Sequence, residues 1–260
     1  KSSNFTIRNG TGQGRVLAAI AYCMYVAGLF TLLEQRRAGC WIEGEHRGIW
    51  GYSHDNWAIA PSLSSLQDMI VTMEEYAQSH NLIFSTDPNP LKCKTKCMAY
   101  LKKERVLPNM ILCGTPLPWV DKLKHLGITV TNTIDGCQKD IMIKRARYIE
   151  RSCEILQEFN FVAPEGKMKI HNIYNSHFTG SSCWDMTSVA GRMMEASFNK
   201  NIKITHDLPY ATHRNILPVI SNMKPLRITL AKRLISFFDK IKKSEKSVLK
   251  QILTIVESDV

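Results

Sequence analysis

The chain reads as an α+β protein whose second half is all helix. Three observations predict this. Short runs of alternating apolar residues, broken by Gly, Pro and Asn, crowd the first 132 residues, with two helical stretches among them. After Asn132 the apolar period lengthens to that of a helix and stays there to the end. A length of 260 residues, 44% hydrophobic and 22% charged, suffices for a sizeable core. Three segments are therefore expected: 1–132 α+β, 133–205 helical, and 206–260 a basic helical segment.

Residues 4–8 alternate like a strand end, and Asn9-Gly10-Thr11-Gly12-Gln13-Gly14 is a glycine-rich turn. Residues 16–37 predict a largely buried helix, closed by Gly39. Two short strands around Gly44 follow over 41–49. A hairpin over 48–61 then places Ser53-His54-Asp55-Asn56 at its tip, and Pro61 ends its second arm. Residues 62–81 form the clearest amphipathic helix, with Leu63, Leu66, Ile70, Met73 and Ala77 on one stripe and Ser64-x-x-Gln67 as a capping box. A loop through Lys92-Cys93-Lys94-Thr95-Lys96 leads to a strand at 97–101, and further strands are expected over 110–113 and 123–130.

A long helix over 135–159 should turn Ile141, Ala146, Ile149, Cys153 and Leu156 inward and Lys144, Arg145, Arg147 and Arg151 outward. Residues 167–200 read as helix interrupted at 179–182. Pro209, Pro218 and Pro225 punctuate the next stretch, and 226–257 reads as a basic helix carrying Lys240-Ile241-Lys242-Lys243.

Net charge is +11, of which +7 falls in residues 131–260. Such a balance suits a polyanionic partner whose affinity falls with salt. The eight cysteines are scattered and are expected as reduced thiols; Cys93-x-x-x-Cys97 has no second pair at zinc spacing. No window reaches the ~18 uninterrupted apolar residues of a membrane span. No signal-like segment is visible either, so an intracellular site, cytoplasmic or nuclear, is expected without a membrane partner. The chain opens Lys1-Ser2-Ser3 without Met, as a piece of a longer polypeptide or a truncated frame would. It contains no Gly-x-Ser-x-Gly elbow, His-Glu-x-x-His or Gly-x-x-x-x-Gly-Lys-Ser/Thr loop.

Four stretches occur in a telling order. Gly10-Thr11-Gly12-Gln13-Gly14-Arg15-Val16-Leu17 opens a long helix. Gly51-Tyr52-Ser53-His54-Asp55 forms a hairpin turn like Tyr-x-Asp-Asp, with His54 in place of the first aspartate. Lys94-Thr95 follows, and then His125-Leu126-Gly127 on another hairpin. In this order the chain resembles the reverse transcriptase (RNA-directed DNA polymerase) of a non-LTR, LINE-type retrotransposon. The resemblance runs from midway through the palm to the thumb and beyond, and Leu208-Pro209-Tyr210-Ala211-Thr212-His213-Arg214 also fits it. Ala18 departs from the serine usual after that leucine.

The resemblance implies a partial polymerase palm, an antiparallel sheet with helices, followed by a helical thumb. It places Gln13, Gly14 and Lys94 beside the incoming dNTP, and His125, Leu126 and Gly127 as the primer grip. Tyr52, His54 and Asp55 fall at the catalytic turn, with Asp55 as the metal ligand. RNA template, DNA primer and Mg²⁺ are the implied partners, together with the upstream part of the same polyprotein. Two-metal nucleotidyl transfer needs several carboxylates, because Mg²⁺ takes hard oxygen ligands while imidazole suits softer ions. The family's other aspartate lies on a strand before the Gln-Gly motif, so Asp55 is the carboxylate left from that set. A chain without polymerase activity is therefore expected. The alternative is a non-enzymatic module that grips RNA or DNA phosphates without sequence preference, through Lys144, Arg145, Arg147, Arg151 and the 240–243 lysines.

Overall fold

Four two-stranded antiparallel hairpins and seven α-helices make up the described residues of the chain, an α+β composition. The computed structural model describes residues 17–103, 105–133, 135–175, 178–244, 250–251 and 254. The chain divides into two units, Lys1–Val120 and Asp121–Val260.

In the first unit, α1 (Ala18–Gln35) packs on α2 (Leu63–Ser79). Three short hairpins complete it: β1 (Trp41–Ile42) with β2 (Glu45–His46), β3 (Ile49–Tyr52) with β4 (Asp55–Ala58), and β5 (Met110–Leu112) with β6 (Thr115–Leu117). Helix α2 divides two apolar cores. Met69 and Tyr76 join Leu29, Leu33, Ala38 and Ile49 in one, and Ile70 joins Cys93, Cys97, Met110, Leu112 and Leu117 in the other. The stripe expected on α2 is therefore present. The cap differs from expectation, because Ser62 rather than Ser64 accepts the Ser65 N–H at 3.2 Å. Gln67 is instead committed to a strand edge: its amide donates to Ile111 O at 3.0 Å and accepts from Ile111 N at 3.1 Å. The strand expected at 97–101 reduces to a single bridge between Cys97 and Trp119. The eight cysteines form no disulfide.

Helix α1 corrects a third expectation. Only Val26, Leu29 and Leu33 are buried, while Leu17 and Met24 are 70% and 75% exposed. Its 18 residues, at mean hydropathy 1.3, are long and apolar enough to cross a membrane by length and composition. At its C-terminal end the chain reverses through Gly39, whose φ of +101° lies outside what L side chains adopt comfortably. A Cβ there would stand 2.7 Å from Met69 Sδ and 2.9 Å from Gly48 Cα. Gly39→Ala is expected to destabilise the first unit by about 2 kcal/mol, from strain and overlap together. Urea unfolding checks this, and a change below about 0.5 kcal/mol, the usual range at tolerant surface sites, would show that the turn relaxes freely.

The second unit begins with β7 (Lys122–His125) paired to β8 (Ile128–Thr131). It continues with α3 (Gly136–Glu158), α4 (Pro164–Ile170), a π-helical turn at His171–Asn175, a 3₁₀ turn at Ser181–Cys183, α5 (Val189–Thr205), α6 (Leu217–Ser221) and α7 (Leu226–Lys243). One core joins Ile141 and Tyr148 of α3, Met194, Phe198 and Ile202 of α5, Leu217 of α6, and Leu226 and Leu230 of α7. Residues before and after 205 thus share a single core. The expected helix over 226–257 is interrupted: α7 ends at Lys243, where Ser244 turns extended at ψ 139°, and Lys250, Gln251 and Thr254 are again helical. The buried face of α3 is Asp140, Ile141, Tyr148, Ser152 and Ile155; Ala146, Ile149 and Cys153, expected inward, are exposed.

Candidate nucleic-acid interface

The β3–β4 hairpin is closed by Ser53 and His54 alone, with Tyr52 opposite Asp55. Ser53 takes φ +53°. Gly51 is fixed by packing, since a Cβ there would meet the Phe30 ring at 2.8 Å. Tyr52, His54 and Asp55 therefore sit together at an exposed tip, with His54 Nε2 4.0 Å from Asp55 Oδ1. That donor set is one carboxylate and one imidazole, and among the described residues no three His, Cys, Asp or Glu stand close enough to hold a metal. It does not fit a pair of Mg²⁺ ions, which need several hard oxygen ligands each.

Lys94 is exposed on a loop pinned elsewhere: Thr95 donates to Ser85 O through its N–H at 3.2 Å and its hydroxyl at 3.0 Å. Cys93 under that loop belongs to the core of β5 and β6, whereas Ile49 of the hairpin belongs to the other core. His125 ends β7, and Leu126 and Gly127 form the turn to β8 with φ +47° and +80°, the tight turn that matches strand twist. This turn lies beside Thr179, and the hairpin packs on α3. Gln13 and Gly14 lie outside the described residues.

The four basic residues of α3 play different parts. Lys144 was expected outward but is only 10% exposed, paired to Asp140 at 2.7 Å. It also donates to Thr179 O and lies 5.6 Å from the Trp184 ring centre. Asp140 in turn accepts from Thr129 N at 2.9 Å and Trp184 Nε1 at 3.0 Å. Arg145 donates to Ser197 Oγ at 2.7 Å, tying α3 to α5. Both side chains are thus structural ties. Arg151 covers the Tyr174 ring at 5.1 Å with an exposed guanidinium, and Arg147, one helical turn away, is exposed.

A stronger concentration of positive charge lies where the turn at 180–183 meets α7. Gly180 (φ +78°) lets the turn lie close against β8, since a Cβ there would stand 2.6 Å from Ile128. An open cleft between the turn and α7 has a volume of about 410 Å³. Lys232, Arg233 and Lys240 line it with Ser181 and Ser182, and no carboxylate among the described residues does. Arg233 is held to Ser181 Oγ at 3.3 Å. By contrast, a cleft in the first unit beside Arg36 and Arg37 contains Asp68, and Arg36 is spent on Glu75 at 2.5 Å. Of the second-unit cleft, sequence reasoning found only Lys240. The missed signal was the spacing of Lys232, Ser236 and Lys240, four apart on one helical face.

No family model matches the chain, and neither a curated protein nor a solved structure is detectably similar to it.

Proposed function

We propose that the chain binds RNA or DNA through the phosphates, without sequence preference and without joining nucleotides itself. The observation carrying this reading is the cleft of Lys232, Arg233 and Lys240, lined by no carboxylate among the described residues, in the half of the chain that holds +7 of the net charge. Such a site attracts phosphate and reads no base edges. Its origin in a reverse-transcriptase-like palm and thumb is supported by element order: the 49–58 hairpin, helix 63–79, the Lys94-Thr95 loop, the 122–131 hairpin and the helical region follow one another as the resemblance expects. Loss of polymerase chemistry is supported by the hairpin tip, where Asp55 has His54 as its neighbour.

Fluorescence anisotropy with unstructured RNA and with duplex DNA tests the reading. Three engaged cations give a slope of log K against log salt of about −2 for the single strand and about −3 for the duplex. Lys232→Ala/Lys240→Ala should flatten the duplex slope by nearly 2. A salt-independent affinity defeats the proposal. In parallel, His54→Asp with template, primer, dNTP and Mg²⁺ should give no extension, because it supplies a second carboxylate and no third; extension by that variant refutes the loss of chemistry.

A further inference from the structure

The shape and chemistry of the α7 cleft suit one end of a strand better than its middle. We infer that the cleft is a pocket for a terminal phosphomonoester, so that the chain prefers nucleic-acid ends bearing a phosphate; this rests on the phosphate-binding reading above. A backbone diester carries one negative charge, whereas a terminal monoester carries about −1.5 to −2 at neutral pH and three free acceptor oxygens. The cleft offers three cations and the hydroxyls of Ser181 and Ser182, a donor set in excess of what one diester oxygen pair can use. The nearby Lys144 ammonium adds little, being neutralised by Asp140 at 2.7 Å.

Volume points the same way. About 410 Å³ lies within the range of pockets that hold a small ligand, whereas a groove that tracks backbone passes many nucleotides. The Phe237 ring on the cleft wall is 40% exposed, a flat apolar face against which the terminal base or sugar can lie. Rigid parts hold the cations. Arg233 is tied to Ser181, which is buried, and the helix carrying all three is anchored by Leu226 and Leu230 in the core. A preformed fork of this kind loses little freedom when it takes a charge-assisted contact.

The test uses the whole chain and one short labelled strand prepared with a 5′-phosphate, a 3′-phosphate, or hydroxyls at both ends. One phosphorylated form is expected to bind about tenfold more tightly than the hydroxyl form, the worth of one charge-assisted contact. Lys232→Ala/Lys240→Ala should abolish that difference while circular dichroism stays unchanged; both side chains are exposed. Phe237→Leu should reduce the difference, and 5′-AMP should compete where adenosine does not. Equal affinity for all three strands overturns the inference and leaves backbone binding standing. A difference that persists in the double variant also overturns it. No binding of any strand removes the parent reading, and this one with it.

Discussion

Asp140→Ala is expected to cost the second unit about 3–5 kcal/mol, enough to unfold it where the wild-type chain is stable. The carboxylate is buried and joins three parts of the unit. It accepts from Thr129 N on β8 and Trp184 Nε1 in the segment before α5, and it pairs with Lys144 one turn along α3. Its removal leaves an ammonium that is 10% exposed without a counter-charge and two N–H groups without acceptors. The alternative cause, a packing void, is small for so short a side chain. Urea denaturation measures the loss, and the double variant Asp140→Ala/Lys144→Met separates the causes. If the uncompensated charge dominates, the double variant recovers more than half of the loss. A single-variant cost under about 1 kcal/mol, the worth of an exposed ion pair, would mean that water reaches the site and the tie is not structural.

The second large effect is acid sensitivity centred on His171. This side chain is buried beside Asn201, whose amide lies 3.3 Å from its Nδ1, and burial pushes its pKa down to about 4. In the unfolded chain it titrates near 6.5. Above that value both states are neutral and His171 contributes no pH dependence. As pH falls from 6.5 toward 4, the unfolded state takes up a proton that the folded state refuses, and stability is lost. Below about 4 both states are protonated and the loss is complete, at about 3 kcal/mol from this group. Urea midpoints at several pH values between 7.5 and 4 should fall for the wild-type chain and fall less for His171→Gln. Parallel curves for the two proteins would remove His171 as the cause.

Much of this fold was legible in advance, and the misreadings share a physical origin. Helices α1, α2, α3 and α5 stand close to where the apolar period put them, because period depends on many residues at once. The face of α3 was misread because Asp140, Ser152 and Tyr148 look like surface residues by type. They are buried because each has partners: Ser152 Oγ donates to Tyr148 O at 2.7 Å, and Asn201 Nδ2 donates to Tyr148 OH at 3.0 Å. The same exchange drew Lys144 inward and left Ile149 exposed. Three hairpin turns carry a residue of positive φ followed by glycine, at Glu43-Gly44, Cys113-Gly114 and Leu126-Gly127, a local signal that a sequence shows plainly. The basic face of α7 could have been read from the four-residue spacing of Lys232, Ser236 and Lys240, but its opposite wall could not, since Ser181 and Arg233 meet across 52 positions and only tertiary packing brings them together.

The thiols turn the division of the chain into something that can be followed in time. Cys93 and Cys97 are sealed in the first unit, and burial, with Cys93 alongside, pushes the Cys97 thiol up to about 11, which withholds the reactive thiolate. Cys137, Cys153 and Cys183 of the second unit are exposed in the native state. An alkylating reagent therefore leaves two mass increments unclaimed while the first unit is closed and adds them when it opens, whatever the second unit is doing. The opening of the first unit can thus be timed on the intact chain by mass alone, independently of the second.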